Sequence, residues 1–127
     1  MAYTIKGQIL GFVETKTVEI VSIDELFATM KDTENENISF TLVTPYLLRE
    51  YIFDLPLDVK NQLQITEDSK IGVYNILVIQ KPLEKSTINF LAPIVINYDN
   101  NTLAQALLDP KIHGDFGMAE TIESFKK

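Results

Sequence analysis

Few side chains in this sequence could support catalysis, and the single histidine, His113, is the first to consider. Asp109 and Asp115 lie close to it in sequence, so the three side chains could hold a metal or form part of a hydrolytic site. A metal site needs more ligands that converge, and the nearby Gly114 and Gly117 are typical of surface turns. No Gly-x-Ser-x-Gly nucleophile motif accompanies the histidine. The pattern favours a turn, and a metal-dependent enzyme at His113 is kept as an alternative.

Other motifs of metal and phosphate chemistry are missing from the sequence. Asp99–Asn101 superficially suggests a calcium loop, but the ligand spacing and the terminal glutamate of an EF-hand are absent. There is no Gly-x-Gly-x-x-Gly and no Walker motif, hence no loop to hold the phosphates of a nucleotide. Without cysteine, no disulfide or thiolate metal site can form. The carboxylates between Glu14 and Glu25 are typical of a solvated face. We therefore expect no enzyme, no metal and no cofactor.

The net charge of the chain is −7, from 11 Lys and Arg against 18 Asp and Glu. Direct nucleic-acid binding needs clustered basic side chains, so we expect none. An acidic surface suits a basic protein partner, or keeps RNA away from one, and it also serves solubility. The N-terminal residues lack the pattern of a signal peptide, and the apolar runs are too short to cross a membrane, which predicts a cytoplasmic protein.

One short segment combines aromatic, aliphatic and charged side chains in the way that protein interfaces do. It contains Tyr46, Leu47, Arg49, Glu50 and Tyr51. Tyrosine and arginine are frequent anchors of protein interfaces, so these residues are candidates for partner binding. The alternative is that Leu47, Leu48 and Tyr51 lie in the core and that Arg49 pairs with a neighbour.

A second candidate lies in the stretch 86–98. Its even positions are apolar or aromatic from Ile88 onward, as expected for one face of a strand, and its odd positions are mixed. Pro93 cannot donate to a sheet, so it marks an edge, a bulge or a break between two strand pieces. The second face is expected to be half exposed or half covered, and the pattern favours a core strand with a bulge at the proline. The alternative is a strand whose bulge exposes Leu91 and Asn89 to a partner, and the candidates for partner binding in this stretch are Asn89, Leu91, Pro93 and Asn97.

Hydrophobic periodicity and turn residues predict the elements that must position these side chains. Strands are predicted at 3–10, 14–22, 38–44, 51–55, 71–80, 86–98 and 103–108, with a hairpin turn at 99–102. Short helices are predicted at 23–31, 56–63 and, for barely one turn, 45–50. The stretch 71–80 is apolar on both faces and is expected to be a central strand.

These elements predict a mostly β protein, a small antiparallel barrel-like fold of about eight strands with two or three short helices. We expect a single domain over residues 1–127, in which 110–127 form a less regular C-terminal tail. The side chains that could dock this tail are Phe116, Met118, Ile122 and Phe125. The alternative is a hollow barrel that binds a small molecule, lined by Phe40, Phe53, Phe90 and Tyr98.

Four stretches of the sequence, in their order and spacing, resemble the flagellar assembly factor FliW family. They are Lys6–Phe12, Ile38–Tyr46, Val73–Ile79 and Asn89–Asn97, the last reading NFLAPIVIN. The resemblance runs in register over residues 5–109 and thins in the tail. It implies a small antiparallel barrel-like fold without catalytic activity.

The resemblance also implies two protein partners. One is flagellin, held in the cytoplasm before export, and the other is CsrA, a dimeric RNA-binding repressor of flagellin translation. In such a system FliW bound to CsrA relieves the repression, and unexported flagellin that occupies FliW restores it. For this chain we expect the acidic body to repel RNA from CsrA. We also expect charge reversal at Arg49, or Leu91→Asp, to weaken one partner without unfolding the protein.

Overall fold

A computed structural model describes residues 2–7, 9, 12 and 14–125 of the chain. Within these residues the strands are β1 (Ala2–Ile5), β2 (Thr17–Ser22), β3 (Phe27–Asp32), β4 (Ser39–Val43), β5 (Ile71–Val78), β6 (Thr87–Ile88), β7 (Ile94–Asn97), β8 (Thr102–Gln105) and β9 (Glu120–Thr121). The α-helix among them is α1 (Leu57–Leu63), and short 3-10 turns lie at Pro45–Leu47, Leu83–Lys85 and Ile122–Phe125. No helix within the described ranges is long and apolar enough to cross a membrane.

The strands close into a barrel in the order β4-β3-β2-β1-β8-β7-β5, and β5 pairs back with β4. The pairings around this ring are antiparallel, except that β1 and β8 are parallel. β6 and β9 extend the sheet beyond the C-terminal end of β5. The prediction of a mostly β, barrel-like fold with short helices is therefore confirmed.

Alternation along the strands buries apolar side chains on both faces of the barrel wall. One cluster fills the interior, where the strands supply fully buried side chains such as Met30, Leu42 and Ile96. A second cluster lies on the outer face, where Val43 and Val95 pack under α1 and under the segments that follow β4 and β6. Small barrels are commonly filled by side chains in this way.

The filled interior contradicts the hollow barrel that was the alternative. Phe40 belongs to the interior cluster, whereas Phe90 lies in the outer cluster with Phe53 packed against it. Tyr98 is partly exposed at the end of β7. The four aromatic side chains therefore do not line one cavity.

The helix predicted at 23–31 is wrong, because residues 23–26 form a turn and residues 27–31 belong to β3. Oδ1 of Asp24 accepts hydrogen bonds from the backbone N–H groups of Leu26 and Phe27, each 2.8 Å long. An aspartate oxygen can close a turn in this way as readily as it caps a helix. β3 then pairs along its length with β2 on one side and with β4 on the other. These two long-range pairings decide for strand over the helical spacing of the apolar residues.

No strand forms at 51–55 either, although buried and more exposed side chains alternate there as predicted. The barrel has no edge left for this segment. β5 already pairs with β4 on one side and with β7 and β6 on the other. The segment is therefore an extended strap across the outer face and not part of the sheet.

The stretch 86–98 is divided into β6 and β7 by Asn89–Pro93, as the proline predicts. β7 is buried on both faces, which agrees with a core strand interrupted at the proline and not with a half-exposed second face. The outer face is covered by α1, where Val95 lies in the outer cluster with Leu63 and the side-chain amide of Asn97 donates to the Leu63 carbonyl at 2.8 Å. The N–H groups of Ala106 and Leu108 donate to the carbonyls of Pro93 and Leu91, each at 2.8 Å, so the chain after β8 pairs along the break.

Other predicted elements are confirmed with shorter bounds. α1 buries Val59 and Leu63, one turn apart, as the spacing predicts. The turn at 99–102 closes the β7–β8 hairpin, with Asn101 in the left-handed conformation at a φ of 55°. The predicted strands 3–10 and 14–22 correspond to β1 and β2, and the expected end of the first at Leu10 lies outside the described residues.

Candidate protein-binding surface

The whole segment between β4 and α1, residues 44–56, is called the strap from here on. It is anchored by Tyr51, which is buried. Its hydroxyl donates to the carbonyl of Phe90 and accepts from Nδ2 of Asn75, 3.3 Å away. The same Asn75 amide group donates to the carbonyl of Asn89 at 3.0 Å, so one buried carboxamide joins the strap to the break between β6 and β7. Burial raises the pKa of Tyr51 to about 12. The phenol is therefore a neutral, structural group at physiological pH.

Arg49 fastens the C-terminal tail to the strap. Its guanidinium lies 4.8 Å from the ring centroid of Phe116 and 5.3 Å from that of Phe90, which is the geometry of a cation–π contact. Its terminal nitrogens also contact carboxylate oxygens of Asp115 at 2.9 Å and of Glu120 at 3.4 Å. The alternative in which Arg49 pairs with neighbours is confirmed, since most of this side chain is covered by them.

The outward side of the strap carries apolar side chains that stay partly open to solvent. Tyr46 is 54% exposed and Leu47 is 58% exposed, so the placement of Leu47 in the core is wrong. Ile52 and Ile71 are exposed beside them. We call these four residues, Tyr46, Leu47, Ile52 and Ile71, the Tyr46 surface.

The Tyr46 surface is shaped by two shallow depressions. One of about 210 Å³ lies between Tyr46, Ile52 and Ile71. The other, of about 390 Å³, has Leu47 opposite Asp24 and Glu25 and the apolar residues after them. An apolar centre with a charged rim is the usual make-up of a protein interface. This surface fits a partner that offers apolar side chains flanked by basic ones.

The structure brings the two predicted groups of site residues together, but it exposes them unequally. Tyr46, Leu47 and Glu50 are exposed, whereas Arg49 and Asn89 are partly covered. Tyr51, Leu91, Pro93 and Asn97 are buried. The expectation that the break presents Leu91 to a partner is therefore wrong, and Asn97 instead donates to the carbonyl of Leu63 at 2.8 Å.

His113, Asp109 and Asp115 make contacts that hold the C-terminal tail in place. The imidazole stacks on the ring of Phe116 with the centroids 5.0 Å apart. Oδ1 of Asp109 accepts the backbone N–H of Lys111 at 2.8 Å, and Asp115 is engaged by Arg49. In the part of the chain that the structure describes, no three His, Cys, Asp or Glu side chains are placed to hold a metal ion.

Two features of the molecular surface could not be predicted from sequence patterns. Ile52 and Ile71 are distant in sequence and become neighbours only because the strap crosses the outer face. A groove of about 550 Å³ also opens where β4 and β5 diverge, lined by Phe40, Ile76 and Val78 among others. Neither follows from the local spacing of residues.

The fold and these surfaces define a small closed β-barrel with a strap and a tail packed outside it. The comparisons with known proteins agree with that class. The FliW protein family model matches residues 1–119, and the chain belongs to the FliW family.

Similar proteins extend over nearly the whole chain. Flagellar assembly factor FliW 2 of Wolinella succinogenes is 44% identical over 125 residues, which cover 98% of this chain and 92% of that protein. Flagellar assembly factor FliW of Campylobacter lari is 40% identical over 128 residues, covering 100% of this chain and 98% of that protein. A crystal structure of the flagellar assembly factor FliW superimposes with a TM-score of 0.86 at 25% identity, covering 99% of this chain and 86% of that one.

Proposed function

We propose that this chain is a non-enzymatic, cytoplasmic flagellar assembly factor that binds flagellin and the translational regulator CsrA. In the proposed cycle the chain binds CsrA and so antagonises CsrA repression of flagellin mRNA translation. Flagellin that accumulates before export competes for the chain, which frees CsrA and lowers flagellin synthesis. Family membership supports the assembly role, since the relatives are named as flagellar assembly factors.

The exposed Tyr46 surface is the structural observation that supports the assignment of partner binding to particular residues. Tyr46, Ile52 and Ile71 are exposed around one depression, and Leu47, next to Tyr46 in the chain, lines a second depression beside Asp24 and Glu25. Exposed apolar surface of this kind marks interaction sites. In the proposal Tyr46, Leu47 and Glu50 contact a partner directly. Arg49 and Tyr51 act as positioning residues, because they hold the strap against the tail and the barrel.

The charge of the chain supports the choice of partner class. A net charge of −7 disfavours direct binding of RNA phosphates and favours association with the basic surface that an RNA-binding regulator carries. In the proposal RNA and the chain therefore meet only through CsrA.

The test is a binding measurement with purified flagellin and purified CsrA, by calorimetry, on the wild-type chain and two variants. Leu47→Asp places a charge in the centre of the Tyr46 surface. Leu107→Asp is the matched control, because Leu107 is 61% exposed and lines neither of the two depressions of that surface. We expect Leu47→Asp to weaken at least one partner by about tenfold or more and Leu107→Asp to weaken neither.

Binding of neither protein by the folded wild-type chain would refute the proposal. Equal weakening by both variants, each shown to be folded by circular dichroism, would leave the partners in place but would remove the Tyr46 surface from the proposal.

A further inference from the structure

The seam that closes the barrel is incomplete at one end. β4 and β5 pair through Val43 with Asn75, Leu42 with Ile76, and Thr41 with Leu77. The pairing stops there, although β4 begins two residues earlier, at Ser39, and β5 runs one residue further, to Val78. Ser39 and Ile79, which the register would place opposite each other, do not pair across the seam in the described structure.

The direction of the backbone groups on β4 follows from one hydrogen bond. The N–H of Asp32 on β3 donates to the carbonyl of Ile38 at 3.0 Å, so residue 38 points its peptide groups toward β3. Successive residues of a strand point to opposite sides. Ser39 therefore points its N–H and C=O toward β5, as do the paired Thr41 and Val43.

The direction of the backbone groups on β5 also follows from one hydrogen bond. The N–H of Tyr98 donates to the carbonyl of Lys70 at 2.9 Å, so the peptide groups of Lys70 point toward β7. The peptide groups of the odd-numbered residues that follow therefore point toward β4. Leu77 accordingly pairs with β4, and Ile79 is the next residue with the same direction. Two strand ends thus face each other across a gap, and their main-chain donors and acceptors do not pair with each other in the described part of the barrel.

The gap opens into an apolar groove. The groove has a volume of about 550 Å³, and its wall includes Phe40, Ile76 and Ala92. Its rim is apolar and exposed: Phe12, Val78 and Ile79 all leave more than a third of their surface to solvent. Because Val78 follows Ile76 by two residues on the same strand face, its side chain points to the mouth of the barrel.

We propose that this groove binds one extended polypeptide segment of a partner, which enters the gap as an added strand. Unused main-chain groups on a strand edge recognise another strand, and side-chain pockets beside the edge select alternate residues of it. The apolar wall selects an apolar side chain at the inward position, and the acidic charge of the chain disfavours acidic segments. A compact small molecule would fill the groove but leave the main-chain groups unused.

This inference depends neither on flagellin nor on CsrA, because it concerns the conformation of the bound segment and not its source. The groove also does not include any residue of the Tyr46 surface. The two proposals can therefore fail separately.

The test uses a fluorescein-labelled octapeptide of alternating valine and threonine, with fluorescence anisotropy as the measure of binding. A second octapeptide of the same sequence is N-methylated at alternate residues, so that one edge can no longer donate hydrogen bonds. The chain is compared with Val78→Asp and with the matched control Val21→Asp, since Val78 is 54% exposed and Val21 is 57% exposed and lies outside the groove.

We expect saturable binding of the unmodified peptide to the wild-type chain and to Val21→Asp with equal affinity. Val78→Asp and the N-methylated peptide should each weaken binding by about tenfold or more. Equal binding of both peptides would overturn the proposal, because the groove would then recognise apolar groups and not a strand.

A measurement on the wild-type chain alone protects the test against a variant that fails to fold. Amide exchange followed by NMR should show that the Ser39 or the Ile79 amide becomes protected when the unmodified peptide binds. Protection of neither amide at saturation would overturn the proposal. So would a concentration-dependent dimer that is abolished by Val78→Asp, since a second copy of the chain would then be the occupant of the gap.

Discussion

Tyr51 is the residue on which the outer face of the barrel depends most. Its ring lies within 5.4 Å, centroid to centroid, of the rings of Phe53, Phe90 and Phe116, which come from three separate segments. Its hydroxyl adds hydrogen bonds to Phe90 and Asn75. The strap, the break after β6 and the tail therefore share one anchor, and the exposed Tyr46 surface is held in place from beneath.

The raised pKa of Tyr51 predicts a loss of stability in alkali. Folding raises this pKa from 10.0 to about 12 because the phenol is buried. The unfolded chain releases the proton near pH 10 while the folded chain keeps it, so the folded state binds more protons in this window. The free energy of unfolding is therefore expected to fall as the pH rises from about 10 to about 12. Urea titrations across this range, with tyrosinate absorbance as a second signal, measure the effect.

Tyr51→Phe is the informative variant for this prediction. It should cost about 1–3 kcal/mol at neutral pH, because the buried carbonyl of Phe90 loses its donor. It should also flatten the alkaline fall in stability, though not abolish it, since burial raises the pKa of Tyr98 to about 12 as well. An unchanged slope in Tyr51→Phe would contradict the assignment of the effect to this phenol.

At the residue scale the sequence shows which side chains are distinctive, but it does not show which of them are accessible. Tyr46 and Leu47 are exposed, as a binding role requires, while Leu91 is buried in the outer cluster among side chains from distant parts of the chain. Leu91→Asp is consequently expected to disrupt the fold and not a partner contact. Charge reversal at Arg49 would likewise act through the tail, because it breaks the contacts with Asp115 and Glu120.

At the scale of elements, α1 is fixed to the barrel at its C-terminal end. The carbonyl of Leu63 accepts hydrogen bonds from the side-chain amides of Asn97 at 2.8 Å and Asn100 at 3.0 Å. The next residue, Gln64, turns the chain in the left-handed conformation, with a φ of 56°. Helices commonly end in this way, and glycine is the residue that adopts the conformation with least strain.

Gln64→Gly is therefore expected to stabilise the protein by about 0.5–1 kcal/mol. Gln64 is exposed, so the substitution removes no buried contact. Gln64→Ala is the control, because alanine also removes the side chain beyond Cβ but keeps the Cβ itself, which disfavours a positive φ. Urea unfolding at pH 7 should give a higher midpoint for the glycine variant only. Equal midpoints for the two variants would show that backbone conformation is not the cause.

The elements also show why part of the fold follows from sequence and part does not. α1 is predicted because a proline precedes it and Val59 and Leu63 mark its buried face, which are local signals. β3 is mistaken for a helix because the four residues 22–25 have a capping-box pattern and the apolar residues Leu26, Phe27 and Met30 after them have helical spacing. Only the neighbouring strands β2 and β4 decide between helix and strand, and pairing partners are not visible in a short window.

At the scale of the whole molecule, barrel closure leaves few ways to make contact with other proteins. Among the described residues, each strand of the ring pairs with a neighbour on both sides, and the seam between β4 and β5 stops pairing before Ser39 and Ile79. The strap and the tail cover much of the outer face with their apolar sides inward. Elsewhere on the described surface, exposed apolar side chains such as Val21 and Leu107 lie outside the Tyr46 surface and the groove, on a chain of net charge −7. We expect specificity to come from the Tyr46 surface and the groove, with the net charge acting over a longer range.

The proposed antagonism of CsrA gives that long-range charge a measurable consequence. If the chain binds beside the RNA site of CsrA, its net charge of −7 repels phosphate without occupying the site. Repulsion of this kind is screened by salt, since the Debye length shortens from about 10 Å at 0.1 M to about 3 Å at 1 M ionic strength. Steric exclusion from the site does not depend on salt in this way.

The quantity to measure is the ratio of the CsrA–RNA dissociation constants with and without a saturating amount of the chain. Salt weakens RNA binding by CsrA itself, and the ratio removes that effect because it is taken at one salt concentration at a time. We expect the ratio to be large at low salt and to approach one as the salt concentration rises, provided that calorimetry shows the chain still bound to CsrA. A ratio that stays constant across the titration would mean that the chain excludes RNA by its volume, and the acidic surface would then serve solubility alone.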